Sequence, residues 1–166
     1  GGTVLNGQSF MQSTVTATAA QGAATFYVTS VLAMLSGGGS AQLPIMDMQA
    51  PDPGVGEIRG KLGAVLKAAV KVRATIASGP QTGYPIPNVG LFLTSTQDPT
   101  TGPVPACVGD TILSDSSGTA TCDVVITGKL GTANFRAQMG GDRGWDLVVT
   151  AEPGDPGQIK IIQGDG

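Results

Sequence analysis

Residues 111–126, TILSDSSGTATCDVVI, decide how the chain is read. From Thr119 the pattern alternates strictly: Ala120, Cys122, Val124 and Ile126 fall on one face, and Thr119, Thr121, Asp123 and Val125 on the other. That period of two belongs to a strand buried on one side. Ahead of it, Asp115-Ser116-Ser117-Gly118 combines side chains that bond their own backbone with a glycine free to take positive φ. The sequence therefore predicts two strands, residues 111–114 and 119–126, joined by a tight turn. The expected fold class is all-β.

A similar pattern occurs in the first thirty residues. Setting Gly22 on Gly118 puts Ala24 on Ala120, Thr25 on Thr121 and Val28 on Val124, with Phe26 where Cys122 stands. Downstream, Asp52-Pro53-Gly54 returns as Asp155-Pro156-Gly157. A unit of roughly a hundred residues, the size of a sandwich domain, is repeated. The expected division is a later half-unit over residues 1–54, a complete unit over 55–156, and the first strand of a following or neighbouring unit over 157–166.

Composition bounds the partners. Of 166 residues 40% are hydrophobic, enough for a core, and 13% are charged, about half the usual share. Lys and Arg number 9 against 12 acids, for a net charge of −3, and no basic stripe with interleaved aromatics exists to neutralise phosphates. Nucleic acid is not an expected partner. The longest apolar run near the start, Val31-Leu32-Ala33-Met34-Leu35, is far short of the roughly twenty residues of a spanning helix, so no membrane span is expected. Gly1-Gly2-Thr3 carries no leader pattern and reads as the interior of a unit, so a processed or excised chain is expected.

Along the first unit, residues 14–19 alternate Thr with Val and Ala; Ala24, Phe26 and Val28 continue an inward face; Ala41, Leu43 and Ile45 offer a third strand beyond Gly37-Gly38-Gly39. Before Glu57 the only charged residues are Asp47 and Asp52, so this segment lacks the charged edges with which isolated sheets avoid one another. In the complete unit, Val70, Val72, Ala74 and Ile76 alternate with Lys71, Arg73 and Thr75; a strand is preferred here, although residues 61–69 also fit an amphipathic helix through Leu62, Val65, Leu66 and Ala69. Val89, Leu91 and Leu93 form the next inward face, residues 97–105 with three prolines read as a long exposed loop, and Phe135 and Leu147 sit on the last two alternating strands.

The order Pro87-Asn88-Val89, then Ser114-Asp115-Ser116-Ser117-Gly118-Thr119-Ala120, then Thr127-Gly128-Lys129-Leu130-Gly131-Thr132-Ala133, resembles the bacterial immunoglobulin-like repeats of the invasin and intimin type. The match covers about residues 55–163 well and 1–54 in part. The resemblance implies an immunoglobulin-like β-sandwich, one complete unit plus a partial one, that serves as a rigid spacer or fibre unit while binding activity sits in other domains. The cysteine pair, the proline-rich loop and the shortened first unit depart from the family pattern.

Cys107 and Cys122 form no Cys-x-x-Cys motif, and the chain has no histidine to complete a zinc set, so a structural disulfide is expected, and with it an oxidising compartment. Without histidine the commonest general base is missing, and no Ser-x-x-Lys offers the lysine alternative, so no catalytic residue is assigned and an enzyme is not expected. Gly54, Gly56 and Gly60 miss the dinucleotide pattern by one residue and lie among strands, where a domain junction is the simpler reading. No cofactor is expected. Asp110, Asp115, Asp142, Asp146 and Asp155 lack the spacing of a twelve-residue calcium loop and read as turn caps. Trp145 reads as a core or interface anchor, with presentation to a sugar as the other reading, and an isopeptide bond between Lys71 or another lysine and an asparagine such as Asn134 is a minor one.

The function expected is that of a non-catalytic structural segment of an extracellular bacterial surface fibre or adhesin. A carbohydrate-binding module is the alternative, with a thin supply of one Trp, two Tyr and four Phe. The expected partner is a neighbouring unit or copy. Residues 158–163, QIKIIQ, supply a strand in search of a sheet, through Ile159 and Ile161 on one face or Ile162 on the other. The strands missing from residues 1–54 come either from such a copy or from the same, longer polypeptide.

Overall fold

The computed structural model describes residues 3–4, 10–31, 44–77, 82–141 and 143–154. Strands, and no helix, run through these residues. They are β1 Thr3–Val4, β2 Phe10–Ala19, β3 Gly22–Val31, β4 Ile45–Ala50, β5 Glu57–Lys61, β6 Val65–Thr75, β7 Gly90–Thr94, β8 Pro103–Cys107, β9 Ile112–Leu113, β10 Thr119–Gly128, β11 Gly131–Met139 and β12 Arg143–Glu152. One sheet has the order β4-β6-β10-β8, a second β5-β12-β11-β7-β9, and a third β1-β2-β3.

The first two sheets face each other as a sandwich, because each central strand buries alternate residues. Val70, Val72 and Ala74 of β6 and Ala120, Cys122, Val124 and Ile126 of β10 are fully buried in one layer. Ala133, Phe135, Ala137 and Met139 of β11, with Leu147, Val149 and Ala151 of β12, close the other side. The residues between them on β10 are half-buried or exposed, which is the division of faces expected from the sequence. The segment open to a helical reading is a strand from Val65 onward, preceded by a turn at residues 62–64.

The pairing differs from expectation in three places. Residues 111–114 and 119–126 are not a hairpin: β9 pairs with β7 and β10 with β6 and β8, so Asp115–Gly118 is a corner between sheets. Ser114, only 2% exposed, causes the departure by donating its hydroxyl to Ile86 O and accepting from Val89 N, which holds β9 against the 86–89 segment. Gly118 lies so close to Ala74 O, at φ 77°, that any side chain would collide. Next, residues 45–50, assigned by the sequence to the first unit, pair with β6 inside the sandwich, and Met46 and Met48 face inward while Ile45 is exposed. The alternation is as expected there, but its phase is set by β6. Finally, Pro103 and Pro105 stand within strand β8 and are buried. Val108 N donates to Asp123 O, so by alternation the backbones of residues 103, 105 and 107 point away from β10, the one side of an edge strand where a missing N–H costs nothing.

The sandwich has two distinct ends. At one, β12 begins at Arg143 beside Met139, and Asn88, Ser114 and Gly140 are gathered. At the other, β12 finishes at Glu152, which pairs with Lys61 and accepts from Leu62 N. Ten residues of strand separate them, about 30 Å at the usual rise.

Candidate functional site

The feature with the least structural excuse is the β2–β3 hairpin. Its cross-strand pairs, which share a face, include Val15 with Phe26, Ser13 with Val28 and Ala17 with Ala24. One face is therefore an apolar stripe, and Val15, Phe26 and Val28 are each about half exposed. The other carries Gln12, Thr14, Thr16 and Thr18 opposite Thr29, Tyr27, Thr25 and Ala23. Every residue from Thr14 to Val28 is exposed, so the hairpin stands clear of the sandwich on both faces.

Gln12 anchors it. Its amide donates to Pro87 O at 2.8 Å and to Thr29 Oγ1 at 3.0 Å, and its carbonyl accepts from Asn88 Nδ2 at 2.8 Å. Asn88 takes a left-handed φ of 59°, which asparagine tolerates, and its own N–H is held by Ser114 O. The hairpin is thus fixed at the end of the sandwich where β12 begins. The inward core face that the sequence assigned to Ala24, Phe26 and Val28 does not form among the described residues: Phe26 is 55% exposed where Cys122 is fully buried.

The edges of the sheets are unequal. In the sandwich, β8 is blocked by its two prolines, β5 and β9 are short, and β4 runs six residues between Pro44 and a cis Pro51 with Asp47 outward. In the hairpin sheet, β3 presents ten residues along an edge that nothing among the described residues covers. Residues 10–31 contain no charge and no proline. Charge, proline and register bulges, three devices by which strands discourage pairing, are missing there.

Cys107 and Cys122 are bonded, with Cα atoms 5.4 Å apart, joining β8 to β10 within one sheet. The bridge ties together the two ends of the excursion that carries β9 to the opposite sheet. Beside it lies a clasp that sequence reasoning missed. Asp123 accepts from Lys67 Nζ at 2.7 Å and from Ala68 N at 2.8 Å, where the β10–β6 register slips and Ala68 has a left-handed φ of 51°. The Lys67 ammonium and then the Ala68 N–H hold the Asp123 carboxyl below its ordinary range. Only the lone Asp in an otherwise Thr and Val outer face hinted at it.

The other acids are turn or surface partners. Asp115 accepts from Ser117 Oγ, Thr119 N and Ser117 N, and these bonds lower its pKa, the Ser117 hydroxyl most. Asp98 is lowered in the same way, by the hydroxyl and N–H of Thr100. Glu57 is lowered by the Thr150 hydroxyl first and by Arg59. Asp146 pairs with Arg136 at 2.6 Å, and Asp110 N donates to Cys107 O; Asp142 and Asp155 lie outside the described residues. Among the described residues no three His, Cys, Asp or Glu gather as a metal site, and no helix is long and apolar enough to cross a membrane.

Trp145 is half-buried and packs on the core beside inward-facing Ala137, as the anchor reading expects. Lys71 on β6 and Asn134 on β11 lie on the outer faces of opposite sheets, which rules out a bond between them. Ile159, Ile161 and Ile162, with all of residues 157–166, lie outside the described residues. Comparison with protein-family models, curated proteins and solved structures finds no match.

Proposed function

We propose that this chain is a non-catalytic structural segment of an extracellular bacterial surface fibre or adhesin, and that its units join by strand complementation. The observation that carries this reading is the contrast between guarded and unguarded edges: the sandwich closes or blocks its own, while the hairpin offers a ten-residue, uncharged strand edge and an apolar face. An edge of that kind is satisfied by main-chain hydrogen bonds to an incoming strand. The buried disulfide supports an oxidising, extracytoplasmic setting. The strand order β4-β6-β10-β8 against β12-β11-β7 supports the likeness to immunoglobulin-like repeats, whose sheets run A-B-E-D and G-F-C. Sedimentation of the purified chain over a range of concentrations tests the reading. Species growing in steps of one chain mass are expected, and a single monomer boundary at every concentration overturns it.

A further inference from the structure

The assembly reading leaves open which strand enters which edge. We infer that β3 is the acceptor and that its occupant is residues 158–163, QIKIIQ, of a second copy. The inference rests on the assembly reading and adds to it a surface, a segment and a direction.

Three observations carry it. First, β3 is the longest edge of the described sheets that lacks both proline and charge, ten residues against the seven of β2, residues 13–19, that β1 leaves unpaired. A strand seeking main-chain partners meets prolines at β8, a pair or so of residues at β9, and an outward Asp47 at β4. Second, the two alternations match. Laid along β3, Ile159 and Ile161 fall beside the stripe of Ala24, Phe26 and Val28, while Gln158, Lys160 and Ile162 fall beside Thr25, Tyr27 and Thr29. Aromatic and β-branched neighbours across strands are a favourable pairing, and the single cation Lys160 meets an uncharged, hydroxyl-rich face.

Third, the geometry excludes a fold-back within one chain. The hairpin is fixed by Gln12 at the Asn88 end of the sandwich, whereas β12 delivers the chain to the Glu152 end, about 30 Å away. From Gly154 to Gln158 the chain spans at most about 14 Å when fully extended. The hairpin is exposed on both faces over residues 14–28, so neither face packs against the sandwich. The segment therefore reaches the β3 of another copy. Donor and acceptor lie at opposite ends of each molecule, so the contact is heterologous and extends head to tail.

Two full-length variants test this. Phe26→Asp/Val28→Asp blocks the acceptor at side chains already about half exposed, and Ile159→Asp/Ile161→Asp blocks the donor. Each variant alone is expected to sediment as a monomer, with the melting transition of the parent chain. Mixed in equal amounts they are expected to form a dimer and nothing longer, because the pair retains one working donor and one working acceptor. Hydrogen exchange on the assembled parent is expected to show the amides of residues 22–31 and 158–163 becoming protected together. If the acceptor variant assembles as the parent does, or the mixture stays monomeric while the parent assembles, the β3 inference falls and the assembly reading stands. If the parent itself never assembles, both fall. Exchange unchanged at residues 22–31 in the assembled parent overturns the inference whatever the variants do.

Discussion

Phe135 and Arg136 are neighbours on β11 with opposite surroundings: the ring is 4% exposed in the core, while the guanidinium reaches out to Asp146. Phe135→Ala should destabilise by about 3–5 kcal/mol through the cavity it leaves, and Arg136→Ala by under about 1 kcal/mol, the usual worth of a surface ion pair. Chemical denaturation of the two variants measures the difference. Faces of this kind were legible in the sequence, because a period of two fixes which residues share a side. Ala68 was not legible. Its left-handed φ is imposed by the Asp123 clasp and the slipped register, and an alanine advertises nothing of the kind. Ala68→Gly should stabilise by about 1 kcal/mol, since glycine occupies that region without the clash of a Cβ. A loss of stability would mean that the bulge relaxes in solution.

At the scale of elements, alternation told which strands exist but not whom they pair with. Residues 111–126 contain turn chemistry that suits a hairpin, and locally Asp115 N does donate to Thr119 O while Gly118 N donates to Asp115 O. The partner of β9 was decided by Ser114, a small buried hydroxyl whose two bonds to the 86–89 segment no local pattern reveals. Proline misled in β8 for a related reason: whether a missing N–H matters depends on which side of the strand is an edge. The disulfide closes a separation of 15 residues around this excursion, which corresponds to about 3 kcal/mol in the chain-entropy account. Reduction should lower the melting temperature by on the order of 10 °C. The carboxylates of Asp98, Asp115 and Asp123, like that of Glu57, have pKa values lowered in the folded state, so their contribution is full above the ordinary carboxylate range. It is lost as pH falls through their lowered values. Thermal melts should therefore hold steady near neutrality and decline below about pH 4, and Asp123→Asn should flatten part of that decline.

For the whole molecule, the sequence announced a sandwich core and an uncharged leading segment, and both are present. What it left hidden was their arrangement, because Gln12, which among the described residues ties the hairpin to the sandwich, has its partners there seventy-five and seventy-six positions away. A last consequence follows from the parallel pairing of β5 with β12. The chain enters the sandwich at the β4 end beside Thr75 and leaves at the opposite end, after Glu152. Tension between those two points drags β5 and β12 past each other along their length, so the bonds linking Glu57–Lys61 to residues 148–152 are loaded together instead of parting one after another like a zip. Such a joint resists axial pulling far better than it resists being peeled. In single-molecule stretching, the force needed to open the sandwich from its two ends should exceed the force needed when the same strands are drawn apart sideways.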